Sequence, residues 1–308
     1  MRRLEAQVRP RWPFRLPGPS PDGVVRRAPG GIERLIHVDG QPVRVAVSQP
    51  STDLVRFEAR GPGREQCEEA IGRMRFALSV DDDLSDFHRL FRDDPLIGSS
   101  VRARPWMRLL RRPRPFEALA WAVTEQLIEY RRAVGIQRRL IASIGRRHLP
   151  SGLVEPPDAD AVASAAPAQL EAAGLTASRA ITLRRVAKMA STGRVDLDSG
   201  NHRETCARIR TVRGIGRWTE EVFAVGGQGR YDAIPAGDLG FLKWCGRAIH
   251  GRPGSLATED EVRELFAPYG EWAALAGAHA LRISYPAAER PRRAGTRSSG
   301  RPAARFRA

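Results

Sequence analysis

Thr211-Val-Arg-Gly-Ile-Gly-Arg-Trp-Thr219, followed by Pro235-Ala-Gly-Asp-Leu-Gly240, decides how this chain is read. Apolar residues flank the glycines at helical spacing: Ile209 and Val212 before, Val222, Phe223 and Val225 after. The pattern predicts a tight turn joining two short helices over residues 202–227. Gly214 and Gly216 are expected to let the backbone turn with φ > 0 and to let another polymer come close. The second helix then begins at about Arg217, its free N–H groups and positive dipole end turned out of the bend, where a phosphodiester fits. A G-x-G alone is more often an ordinary helix end. Here an apolar Ile215 separates the glycines, Arg213 and Arg217 flank them and Thr219 follows in the first turn. That set, Arg213 to Arg217 with Thr219, is read as a grip on a DNA backbone.

Asp238 stands at a second helix start, 22 residues beyond Gly216. Taken alone, an Asp there is an N-cap. The same carboxylate, held charged by the helix dipole, would stabilise positive charge at C1′ of a nucleotide losing its base, or orient a water. Both readings can hold at once. Trp218 is either core or a ring that stacks on an extruded base, best on a cationic one. Gln126 and Leu127 fall late in an apolar-faced helix expected over 116–132. Leu127 has core spacing, or else fills the gap a flipped base leaves; Gln126 is placed with Trp218 at the base pocket.

Composition narrows the field without naming a substrate. The formal charge is +16, with seven Arg in residues 1–30 and seven more in 286–308. Lysine occurs only at 188 and 243, so the skew to Arg reads as coding bias as much as chemistry. Three cysteines, Cys67, Cys206 and Cys245, lie far apart, which argues for a reducing compartment rather than a disulfide framework. The N-terminus lacks an apolar signal core and no run spans a bilayer, so the expected location is the cytoplasm, at the nucleoid of a bacterial-type cell. No cluster has metal-ligand spacing, and there is no P-loop or nucleophile elbow.

Along the chain, residues 1–30 are expected to be a basic, partly extended segment. Leu35–Val38, Val43–Val47 and Leu54–Phe57 read as strands, with Asp39-Gly40 as a hairpin turn. Helices are expected over 64–78 and 84–91, giving an α+β unit at 31–95. Residues 96–285 read as all-helical, with Thr258-Glu-Asp-Glu261 as a capping box. Residues 286–308 read as a disordered Arg-rich tail.

With these residues in hand, the chain resembles the helix-hairpin-helix DNA glycosylases, and among them the DNA-3-methyladenine glycosylase II family. The likeness runs from about 32 to 285 and rests on Pro115-Phe-Glu-Ala-Leu, Glu125-Gln-Leu127, Leu175 to Ala187 and Val212 to Leu242. It implies an N-terminal antiparallel sheet with helices, like half of a TATA-binding protein, before the helical domain. It implies that Asp238 is the catalytic carboxylate, that the Gly214–Gly216 amides hold a phosphate, that Leu127 is the wedge and Trp218 a pocket wall. A sodium or potassium ion on the carbonyls of the Val212–Gly214 turn is also implied. Strand-cutting relatives carry Lys where Trp218 stands, so a monofunctional enzyme is expected; relatives with an iron–sulfur cluster carry four close cysteines, which this chain lacks. Where the family has further pocket aromatics, this chain has Val222, Leu239 and Ala278.

The expectation is therefore a monomeric, cofactor-free DNA N-glycosylase that excises alkylated purines such as 3-methyladenine from duplex DNA and leaves an abasic site. Two alternatives stay open: a noncatalytic helix-hairpin-helix DNA-binding protein with Asp238 only a cap, and a strand-cleaving enzyme using Lys243.

Overall fold

The computed structural model describes residues 1–252 and 254–283; the tail expected at 286–308 lies outside them. Five strands open the chain: β1 (Arg2–Val8), β2 (Val25–Ala28), β3 (Gly31–Val38), β4 (Gln41–Ser51) and β5 (Leu54–Gly61). They form one antiparallel sheet in the order β1-β5-β4-β3-β2. Asp39 and Gly40 turn β3 into β4 with φ of 48° and 73°, the paired positive values of a tight hairpin. Helix α1 (Arg64–Leu78) lays Cys67, Ala70, Ile71, Met74 and Leu78 into the same core as Val43, Val45, Val47, Val55 and Phe57 of the sheet.

The first thirty residues correct the sequence reading. They supply both edges of the sheet, β1 against β5 and β2 against β3, and Phe14 between them is buried in the sheet core. Arg2-Arg-Leu-Glu-Ala-Gln-Val8 hides its strand character because an edge strand buries little: only Val8 is fully covered.

Helices follow: α2 (Ser85–Phe91), α3 (Gly98–Ala103), α4 (Pro115–Glu125) and α5 (Tyr130–Ile144). A short hairpin, β6 (Arg146–His148) with β7 (Leu153–Glu155), interrupts the stretch expected to be all-helical. Then come α6 (Ala159–Ser164), α7 (Pro167–Ala172), α8 (Ala177–Ser191), α9 (His202–Ile209), α10 (Arg217–Gln228), α11 (Leu239–His250) and α12 (Glu259–Phe266). A 3₁₀ stretch, Ala267–Trp272, leads into α13 (Ala273–Ala280). Among the described residues no helix is long and apolar enough to cross a membrane.

Helix α4 is buried from Phe116 to Thr124, as an apolar helix with no polar stripe should be. Around Phe116, Leu119, Ala120 and Val123 gather Ile136 and Leu140 of α5, Leu183 and Val186 of α8, and Ile209, Val212, Ile215 and Phe223 of the hairpin. A separate core joins Leu84, Phe87, Ile97 and Val101 to Phe241, Phe266, Tyr269 and Leu275. The boundary expected at residue 95 therefore does not coincide with a break in packing: α2 and α3 belong with the C-terminal helices. A buried ion pair ties the sheet to the helices, Arg34 of β3 to Glu117 of α4, and a buried 2.6 Å hydrogen bond between His37 Nδ1 and Glu155 ties it to β7.

Candidate active site

The helix expected over 116–132 is in fact two. It stops at Glu125, Gln126 leaves helical geometry (φ −48°, ψ 120°), and Leu127 takes φ +52°. A bulky residue avoids that region because its Cβ crowds the following carbonyl, at roughly 1–2 kcal/mol. Leu127 is also 99% exposed, so its spacing does not mark a core residue. Two long-range contacts hold the bend. Arg179 Nη2 of α8 donates to the Gln126 carbonyl, and Gln126 Nε2 donates to the Gly214 carbonyl at 2.7 Å and to Thr219 Oγ1 at 2.9 Å.

The same contacts fix the hairpin between α9 and α10. Gly214 alone has the positive φ, +98°; Gly216 is extended at φ −117° and caps α10 without a side chain. A Cβ on Gly214 would lie 2.5 Å from Thr182 Oγ1, whereas one on Gly216 would meet nothing within 4 Å. Gly214 thus serves the fold, and Gly216 keeps the start of α10 open. Thr182 Oγ1 also donates to the Arg213 carbonyl at 2.9 Å, and Ile215 N–H to the Val212 carbonyl at 3.0 Å.

These bonds also fix where the groups of the hairpin are turned. The carbonyls of Val212, Arg213 and Gly214 each accept one hydrogen bond from a protein donor. Ile215 is 6% exposed and its side chain sits in the helical core, where it anchors the hairpin. Thr219, 2% exposed, is turned to Gln126. Gln126 spends its side-chain NH2 group on the hairpin. Arg213 remains exposed, as do Arg131 and Arg132 beside Leu127, whereas Arg217 bonds Glu221 through Nε at 3.0 Å. The pair Arg131-Arg132 was legible as charge but not as a neighbour of the Leu127 bend. Burial, then the charge of Arg132, pulls the Arg179 guanidinium down from its ordinary pKa, which places those two cations together.

Asp238 is the N-cap of α11; its Oδ1 accepts from Gly240 N–H at 2.7 Å. None of the described residues donates to Oδ2. The loop before it is pinned by Asp238 N–H to the Pro235 carbonyl (2.8 Å) and by Ala236 N–H to Glu221 Oε2 (3.3 Å). A Cβ on Gly237 would sit 3.4 Å from Trp218 Cδ1, so the indole edge lies against the residue before Asp238. Trp218 is half-buried and its Nε1 has no acceptor. Lys243 is exposed farther along α11, and Val222, Leu239 and Ala278 all reach the surface without adding a ring.

One residue of this site was not singled out by sequence. Glu125, the last residue of α4, carries its carboxylate into partly buried space with no hydrogen bond or ion pair from any described side chain. Burial pushes its pKa up to about 7, against the pull of Arg112 and with the help of the Asp238 charge. The electrostatic link brings the ends of α4 and the start of α11 together. The signal available was an acid closing a run of apolar residues.

Three clefts of about 430, 440 and 310 Å³ lie elsewhere, and none is lined by Asp238, Trp218 or Gln126.

No family model matches the chain. It is 25% identical over 253 residues to a DNA-3-methyladenine glycosylase of Bacillus subtilis, across 79% of this chain and 82% of that one. Superposed on the 3-methyladenine DNA glycosylase of Archaeoglobus fulgidus it gives a TM-score of 0.77 at 20% identity, over 90% of this chain and 97% of the other. The fold is a DNA glycosylase fold. An 8-oxoguanine glycosylase/lyase of Clostridium acetobutylicum shares it, with a TM-score of 0.67 at 18% identity over 91% and 96% of the two chains. The resemblance read from the sequence thus holds in both sequence and fold. On that glycosylase fold, Asp238, Trp218, the Leu127 bend and the open start of α10 form one surface, linked through Gln126 and Gly237.

Proposed function

We propose that the protein is a monofunctional DNA N-glycosylase that removes alkylated purines such as 3-methyladenine from duplex DNA, leaving an abasic site. The observation that carries this reading is Asp238: a carboxylate fixed by its own helix through one oxygen, with the second unclaimed, beside an indole and the glycine bend. In this role Asp238 faces C1′ as positive charge builds there, and orients the water that replaces the base. Leu127 fills the stack from which the nucleotide is drawn, and its exposed, pre-bent position supports that task. Gly216, the open N–H groups of α10 and Arg213 hold a phosphate. Arg131 and Arg132 add sequence-independent attraction.

An N3- or N7-alkylated purine already carries positive charge and departs readily, so the open setting of Asp238 is adequate for it. Trp at 218, and the place of Lys243 on α11 rather than on the hairpin, support hydrolysis without strand cleavage. The enzyme is taken to work as a monomer without cofactor in the cytoplasm, and its sheet with α1 across one face to be of the TATA-binding-protein type. The test is chromatography of bases freed from methylated duplex DNA by the full chain. Free 3-methyladenine with the strand left alkali-labile supports the proposal. DNA binding with no freed base supports instead a noncatalytic phosphate clamp, with Asp238 only the cap of α11.

A further inference from the structure

Asp238 is carried at the end of a loop, 229–238, with no helix or strand of its own. Such a loop is fixed by side chains from elsewhere. Glu221, on the second turn of α10, has its side chain 13% exposed and both oxygens engaged. Oε1 accepts from Arg217 Nε, one turn back, at 3.0 Å and from Arg263 Nη2 of α12 at 3.2 Å. Oε2 accepts from Ala236 N–H at 3.3 Å, a donor that also closes a tight turn onto the Ile234 carbonyl at 2.8 Å. The same Arg263 Nη2 bonds Glu259 Oε2 at 3.0 Å, and Glu259 Oε1 would lie 2.8 Å from a Cβ on Gly237. One nitrogen of α12 thus holds two carboxylates, one on the Ala236 amide and one against Gly237, the two residues that precede Asp238. Ala236 is fully buried, which seats the turn in the core of the C-terminal helices.

The arrangement is a poor source of stability. Burial pushes the Glu221 carboxyl up, opposed by the charges of Arg263 and Arg217 and by the Ala236 N–H. In a partly buried ion pair the cost of desolvation offsets much of the attraction. What this one supplies is a fixed place for the loop.

We propose that Glu221, braced by Arg217 and Arg263, is a positioning residue that holds the Ala236–Gly237 turn so that Asp238 presents its unclaimed oxygen to C1′. The proposal rests on the glycosylase reading of Asp238 and assigns Glu221 no contact with DNA. Because Glu221 acts only through Asp238, its removal should cost nothing once that carboxylate is gone. A displacement of about 1 Å at a reacting group can cost on the order of 100-fold in rate. The brace should therefore show in the chemical step and not in binding.

The experiment is single-turnover release of 7-methylguanine from duplex DNA at saturating enzyme, together with the Kd for the same duplex. It compares wild type, Glu221→Ala, Asp238→Asn and the double variant. Glu221→Ala is expected to lower release by roughly 10- to 100-fold while the Kd moves by less than about threefold. On the Asp238→Asn background the same change should lower release by less than about threefold, since residues acting as a unit are not additive. Glu221→Gln, which keeps the size and an acceptor but loses both ion pairs, should show the same pattern at smaller amplitude. A retained Kd shows that a variant is folded. Wild-type release by Glu221→Ala, or an undiminished further loss on the Asp238→Asn background, would overturn the positioning role and leave the glycosylase reading standing. A weakened Kd in both Glu221 variants, enough to account for their lost release, would do the same. If wild type frees no base, the glycosylase reading falls and this role falls with it.

Discussion

The two ends of α4 carry an acid each and treat it in opposite ways. Glu117, in the first turn, is buried and fully engaged: Arg34 crosses from the sheet to bond it, and Arg112 adds a second contact. Glu125, at the last turn, has no hydrogen-bond or ion-pair partner among the described residues, and the chain beyond it bends through a strained, exposed leucine. One end is built to join the sheet to the helices. The other gives up stability to hold a carboxyl in partly buried space and a leucine in a strained turn, a pattern common at functional sites.

Four variants test that contrast. At the joined end, Glu117→Gln leaves Arg34 buried without its counter-charge and should destabilise by about 3–5 kcal/mol in denaturant unfolding. Replacing the pair together, Arg34→Met with Glu117→Leu, should recover most of that loss; if it does not, the pair is not acting as a unit.

At the other end the sign reverses. The fold raises the Glu125 pKa, so it penalises the charged form: the penalty is small below the ordinary carboxylate range and grows as pH rises through about 7. Glu125→Gln should therefore be more stable than wild type by roughly 1–3 kcal/mol at about pH 8, and by clearly less at about pH 5. Equal stability at both values would mean that Glu125 is solvated after all.

The smallest effect on stability is expected at Leu127. Glycine accepts φ +52° without strain, so Leu127→Gly should shift stability by no more than about 1 kcal/mol, toward the stable side. Base release should nonetheless fall about tenfold, because the side chain that fills the stack is gone. Unchanged release would remove Leu127 from the site.

What the sequence disclosed follows the same division. Strands β3, β4 and β5, helix α1, the hairpin and the capping role of Asp238 were legible because each is written in local periodicity or in a turn residue. The break after Glu125 was not. The apolar spacing from Phe116 runs on through Leu127 and Tyr130, and no Gly or Pro interrupts it. The bend is imposed by Arg179 and by the Gly214 carbonyl, 53 and 88 residues away in sequence from Gln126. Strand β1 escaped notice for a similar reason, since its partner lies about fifty residues downstream. Glu125 itself carried little signal, because an unpaired acid is defined by the absence of neighbours that only the folded chain brings or withholds.

The central claim is that the unclaimed oxygen of Asp238 does chemistry, and Asp238→Asn addresses it directly, since Asn still caps α11. The measurement is single-turnover release of 7-methylguanine from duplex DNA, alongside the affinity for the same duplex. The account predicts that binding persists while release falls by about 100- to 1,000-fold, the usual loss when one preorganised electrostatic partner is removed. Release at the wild-type rate would contradict it.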